Sequence, residues 1–180
     1  IVVYSSSSFP ALLLSVLAAA EVRELEVLLA VSLGSSTWGA NRVEFPWPLM
    51  VRTLRKAGYV RTPTAFYTPG GSQEAGRDFA PETMELLHRL AEADSVPLWV
   101  PDNLQDAVRG KTARLLALEP KLFVSIGGSN ANMGDSELAV EIPNGLLLPH
   151  AVDASQLGDG VIAEALREGI PVLHMLNVRK

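Results

Sequence analysis

Four short segments of this chain hold the side chains best suited to binding chemistry. They read Ser5-Ser6-Ser7-Ser8, Gly34-Ser35-Ser36-Thr37-Trp38-Gly39-Ala40-Asn41, Pro69-Gly70-Gly71-Ser72 and Gly127-Gly128-Ser129-Asn130-Ala131-Asn132-Met133-Gly134. Glycine lets backbone N–H groups approach a ligand closely, and serine and asparagine add short hydrogen-bond donors. Where such a segment opens a helix, the positive end of the helix dipole attracts anions. These residue types describe a concave polar site for a carboxylate or a phosphate. Its candidate ligand-binding residues are Ser6, Ser8, Ser35, Ser36, Asn41, Gly128, Ser129, Asn130 and Asn132. The same composition also suits plain turns.

Other chemistry is less sharply marked. Arg77 could clamp a carboxylate bidentately, or form an exposed ion pair in a segment that also holds Glu74 and Asp78. His174 follows an apolar run and could reach the edge of the same site. Serines 5 to 8 lie between a predicted strand and a predicted helix, the place for a nucleophile, with His150 or His174 as base and Asp153 or Asp159 as acid. The Gly-x-Ser-x-Gly elbow is missing, however, and such serines more often cap a helix. A metal centre would need the distant His88, His150 and His174 to converge with a carboxylate such as Asp153, and none is expected. The lysines fall only at positions 56, 111, 121 and 180, so no phosphate-loop motif exists, nor does a Gly-x-Gly-x-x-Gly follow a strand; no nucleotide cofactor is expected. Phe45, Trp38 and Trp47 suit either an apolar wall for a ligand or core packing.

The elements that must position these segments alternate along the chain. Residues 1–4, 27–33, 64–68, 96–100, 122–126 and 171–178 read as strands, with a short extra one at 145–148. Helices are predicted over 9–22, 49–57, the stretch after Pro81, the stripe Leu104, Val108, Leu115 and Leu118, and the stripe Val161, Ile162, Ala165 and Leu166. Helix 9–22 is apolar almost all round and should be sandwiched, while Gly110 should weaken the middle of its helix. Alternation of this kind, with strands apolar throughout, predicts an α/β fold: one three-layer, doubly wound domain over residues 1–180, its mostly parallel sheet covered by helices on both faces. Ligands of such sheets bind beyond the carboxyl ends of the strands, where all four polar segments fall.

Composition sets the outer bounds. The 180 residues, 48% hydrophobic and 19% charged, fit one ordinary domain with a substantial core. No cysteine is present, which removes thiolate ligands and nucleophiles, and a net charge of −5 argues against nucleic acid as a partner. The first twenty residues are uncharged, but the apolar stretch 9–20 lacks a positive flank and is too short to span a bilayer. A buried helix is the expectation there, in a chain that reads as a soluble fragment of something longer.

At these same loops the chain resembles the bacterial poly-gamma-glutamate system proteins, encoded alongside the machinery that makes and exports capsular poly-γ-glutamate. The similar segments are Ser6-Ser7-Ser8-Phe9-Pro10, Gly34 to Asn41, Phe45-Pro46-Trp47, Gly70-Gly71 through Gly76-Arg77, Gly127 to Gly134, Gly158-Asp159-Gly160-Val161-Ile162 and Gly169 to Asn177. The resemblance implies an accessory role in synthesis or export, with a glutamate-containing polymer or small anionic ligand and membrane-bound capsule-synthesis proteins as partners. It also implies a membrane-associated or extracytoplasmic setting for a longer protein. It brings no catalytic residues. A serine-dependent hydrolase of γ-glutamyl bonds and a scaffold for membrane partners are the alternatives. One departure stands out: the family has Ser-Gly-Ser before Phe-Pro, whereas Ser7 occupies the glycine position here. A positive φ there would strain a serine.

Overall fold

The computed structural model describes residues 1–34 and 44–176. Six strands form one sheet: β1 (Val2–Ser6), β2 (Leu28–Gly34), β3 (Thr64–Gly70), β4 (Phe123–Ile126), β5 (Gly145–Leu147) and β6 (Val172–Met175), in the order β3-β2-β1-β4-β6-β5. All neighbours run parallel except β5, which pairs antiparallel with β6 at the edge. The strands are rich in β-branched, aliphatic and aromatic residues, and β1 and β4 are buried at every position, as expected of parallel strands covered on both faces. The fold is therefore α/β, with a mostly parallel sheet.

Among the described residues six α-helices complete it: α1 (Pro10–Val22), α2 (Trp47–Lys56), α3 (Pro81–Asp94), α4 (Leu104–Leu116), α5 (Asn130–Met133) and α6 (Val161–Arg167). Proline lies in the first turn of α1, α2 and α3, where its missing N–H costs nothing. The Asn103 side chain caps α4 by accepting from the Asp106 N–H at 2.9 Å. Alternate residues of the strands feed two cores. Val3, Val31, Val124 and Ile126 pack with Leu13 and Leu17 of α1, Trp47 and Val51 of α2, and Leu87 and Ala91 of α3. Val2, Tyr4, Phe123 and Val172 face the other way, toward Leu115 of α4 and Val161, Ile162 and Leu166 of α6.

Three expectations change. Residues 96–100 do not form a full strand but a single parallel bridge, Leu98 to Tyr67. The Tyr67 N–H donates to the Pro97 carbonyl and the Trp99 N–H to the Tyr67 carbonyl, both at 2.8 Å, and with prolines at 97 and 101 the ladder extends no further. Helix α1 is not sandwiched: Leu13, Leu17 and Ala20 are buried, whereas Ala11, Ser15, Ala18, Ala19 and Val22 are exposed. Its outer face is mostly small, so little apolar area meets water. In α4 the inward stripe is Ala107, Lys111 and Leu115, and Leu118 lies beyond the helix, exposed.

Chain order places β2 and β3 on one side of β1 and β4 and β6 on the other. The connections thus diverge between β1 and β4, and a crevice opens at the carboxyl ends of the strands at such a switch point.

Candidate functional site

The crevice is a cleft of about 550 Å³ lined from the ends of five parallel strands. Ser6, Ser8 and Phe9 come from the β1–α1 link, Ser32 and Gly34 from the end of β2, Gly70 to Ser72 from the end of β3, Gly128 to Asn130 from the link after β4, and Leu176 from the end of β6. Phe9 and Phe79 supply aromatic wall, and Asp78 stands at the rim.

The β1–α1 link is shaped by Ser7. Its N–H donates to the Ser32 carbonyl at 3.0 Å and its hydroxyl to the Leu33 carbonyl at 2.6 Å, and the side chain is fully buried. Ser7 is not in the left-handed region, so a serine here causes no strain and instead ties the link to β2. With Ser7 turned inward, Ser6 and Ser8 flank the cleft, the Ser6 hydroxyl donating to Ser8 Oγ at 3.1 Å. Helix α1 begins two residues after Ser8, which puts its positive end at this wall.

After β3 the backbone reverses tightly. Gly70 and Gly71 have φ of +72° and +65°, and a Cβ on Gly70 would collide with the Gly34 carbonyl. Gln73 and Glu74 follow at +58° and +61°, each at a cost of about 1 kcal/mol for a residue with a side chain. The reversal sends the Glu74 carboxylate down beneath the cleft, where it is 0% exposed. There Oε1 accepts from Lys111 Nζ of α4 at 2.6 Å, from Thr68 Oγ1 at 2.7 Å and from Ser32 Oγ, while Oε2 accepts from Ser129 Oγ at 2.7 Å. Lys111 is only 2% exposed. Burial pushes the Glu74 carboxyl up, but the Lys111 ammonium and the Ser32 and Ser129 hydroxyls outweigh it and hold it at about 2.

Of the residues expected at the site, Ser6, Ser8, Gly128, Ser129 and Asn130 come together in the cleft. Ser35, Ser36 and Asn41, like Trp38, lie outside the described residues. Arg77 is absent from the lining: it is exposed and donates to the Asp102 carbonyl at 2.5 Å, while Asp78 accepts from the Ser72 N–H at 2.5 Å, so the two make no ion pair. Asn132 is turned under the sheet, fully buried, with its amide donating to Ser125 Oγ at 3.1 Å. His174 is buried within β6, its Nδ1 3.1 Å from the Pro143 carbonyl, because its strand position directs it to the sheet face rather than the rim. Trp47 packs in the core and Phe45 is half exposed, neither forming a wall.

Glu74, Lys111, Ser32 and Phe79 were not singled out by sequence. The one available signal was Lys111 itself, placed four residues from both Ala107 and Leu115 on an inward helix face, where a buried ammonium requires a partner. No histidine lines the cleft among the described residues, and Glu74, held at about 2, is a poor base for Ser129 at neutral pH. No Lys or Arg lines it either among those residues. The arrangement is one of oriented hydrogen-bonding groups, suited to recognition. No helix among the described residues is long and apolar enough to cross a membrane. Compared with protein-family profiles, curated proteins and solved structures, the chain finds no match.

Proposed function

We propose that this chain is an accessory component of a capsular poly-γ-glutamate system and that its cleft binds a carboxylate- or phosphate-bearing ligand, a glutamyl unit above all. One observation carries the binding part: the ends of five parallel strands and the start of α1 meet at a single cleft lined by hydroxyl, amide and glycine groups and flanked by two phenylalanines. The Ser8 hydroxyl and the exposed Asn130 amide make no donation within the described protein and are available to ligand oxygens, with the α1 dipole behind them. The polymer and the capsule setting rest on the family resemblance at these loops, as does operation beside membrane-bound synthesis proteins at or outside the membrane.

Titrating L-glutamate, γ-glutamyl oligomers and inorganic phosphate by calorimetry, with amide chemical shifts followed in parallel, tests the reading. Millimolar ligand should shift the resonances of Ser8, Ser129 and Asn130. An unperturbed cleft at those concentrations, with all three ligands, would overturn it.

A further inference from the structure

We propose that the floor of the cleft is a subsite for an ammonium group, so that its ligand is an α-amino acid, or a chain end with a free amino group, rather than a plain anion. The inference rests on the cleft being a binding site, and it narrows what binds there. It follows from where the hydroxyl protons go. A serine or threonine hydroxyl owns one proton, and an ionised carboxylate can only accept. Ser32 directs its proton to Glu74 Oε1 beside the Lys111 ammonium and Ser129 directs its own to Oε2, while Thr68 shares one proton between Oε1 at 2.7 Å and Ser32 Oγ at 3.0 Å.

Ser32 and Ser129 also line the cleft, above the buried carboxylate. With their protons committed downward, each oxygen keeps one lone pair for the cleft, the other being engaged by the Asn132 N–H at 3.4 Å on Ser129 and by Thr68 Oγ1 at 3.0 Å on Ser32. A carboxylate or phosphate oxygen set against them meets oxygen lone pairs, whereas an ammonium brings three N–H donors to groups already polarised by a charge. Serines that read as donors in the sequence are thus acceptors in the fold.

The charges agree. Glu74 and Asp78 are the only ionised side chains in the described lining, and Lys111 offsets Glu74, which leaves the negative charge of Asp78 at the rim. A bare dianion would be held by dipoles alone. A zwitterion matches both ends: its ammonium goes to the floor at Ser129 and Ser32, its carboxylate to Ser8, Asn130 and the start of α1.

Calorimetry on the unmodified chain with four probes decides the matter: L-glutamate, glutarate (both carboxylates, no ammonium), 4-aminobutanamide (ammonium, no carboxylate) and inorganic phosphate. Glutamate should bind about 10- to 100-fold more tightly than glutarate. In Ser129→Ala, shown to be folded by circular dichroism, the preference should shrink toward unity. Glutarate or phosphate binding as well as glutamate would overturn the ammonium floor and leave the anion site standing. Binding of the amine without either dicarboxylate would uphold the floor and overturn the anion site, and no binding by any probe would overturn both. A folded Ser129→Ala that keeps the full preference would also overturn the floor.

Discussion

A lysine and a glutamate that share almost no contact with water are stable only as a pair. Lys111 and Glu74 are 2% and 0% exposed and 2.6 Å apart, so deleting the ammonium leaves a buried carboxylate with hydroxyls alone. Lys111→Met, which keeps much of the stem's volume, should cost about 3–5 kcal/mol in urea unfolding, and adding Glu74→Gln should recover a large part of that. Equal costs for Lys111→Met in both backgrounds would show the two residues to be energetically independent. The pair also marks a limit of sequence reading. Ser6, Ser8, Gly128, Ser129 and Asn130 were legible because they sit at the carboxyl ends of just two parallel strands, β1 and β4, and strand polarity alone sends both links to one edge. Glu74 and Lys111 are 37 residues apart and belong to a loop and a helix whose meeting is a tertiary event. Arg77 and His174 misled because residue type says what a side chain can bind and not which way its backbone aims it.

Among the elements, α4 has a glycine at its centre whose role is set by a neighbour. Trp99 lies across Gly110, and a Cβ there would collide with the indole. The ring has little room to yield, since it packs edge-on to Phe66 at 5.9 Å and carries the Arg114 guanidinium 4.2 Å from its centre. In an exposed helix interior Gly→Ala is worth up to about 1 kcal/mol of stability. Here the overlap reverses the sign, and Gly110→Ala should destabilise by about 1–3 kcal/mol, read as a lower thermal midpoint. A raised midpoint would mean that Trp99 swings away freely. The sequence showed Gly110 as a weakness in a helix, and the reason for it lay in residues 96–100, whose apolar run looked like a strand. Two prolines reduce that run to one bridge, and its Trp99 then packs on α4 instead of completing a ladder.

For the molecule as a whole, alternating strand and helix periods made the parallel sheet and its two covering layers legible, while the reversed edge strand β5 and the direction of buried polar side chains required the assembled fold. Those buried groups govern how stability responds to acid. Burial pushes the His174 imidazole down from its usual 6.5, only partly countered by the Pro143 carbonyl, so below that pH the unfolded chain takes up a proton that the folded one resists. Glu74, held at about 2 against a usual 4.5, acts in the same direction over a lower window, because the unfolded carboxyl protonates first. Wherever the unfolded state binds more protons, stability falls as pH falls. Unfolding free energy measured from pH 8 to pH 2 should therefore decline in two stages, one beginning near 6.5 and one running from about 4.5 toward 2. His174→Gln should flatten the first stage alone, and Glu74→Gln the second, although Glu21, also lowered through the Arg61 and Thr62 N–H groups that counter its burial, will keep part of the second stage in place. If His174→Gln left the slope between pH 6.5 and 5 unchanged, the buried imidazole would not be the group that resists protonation, and the acid response would belong to the carboxylates alone.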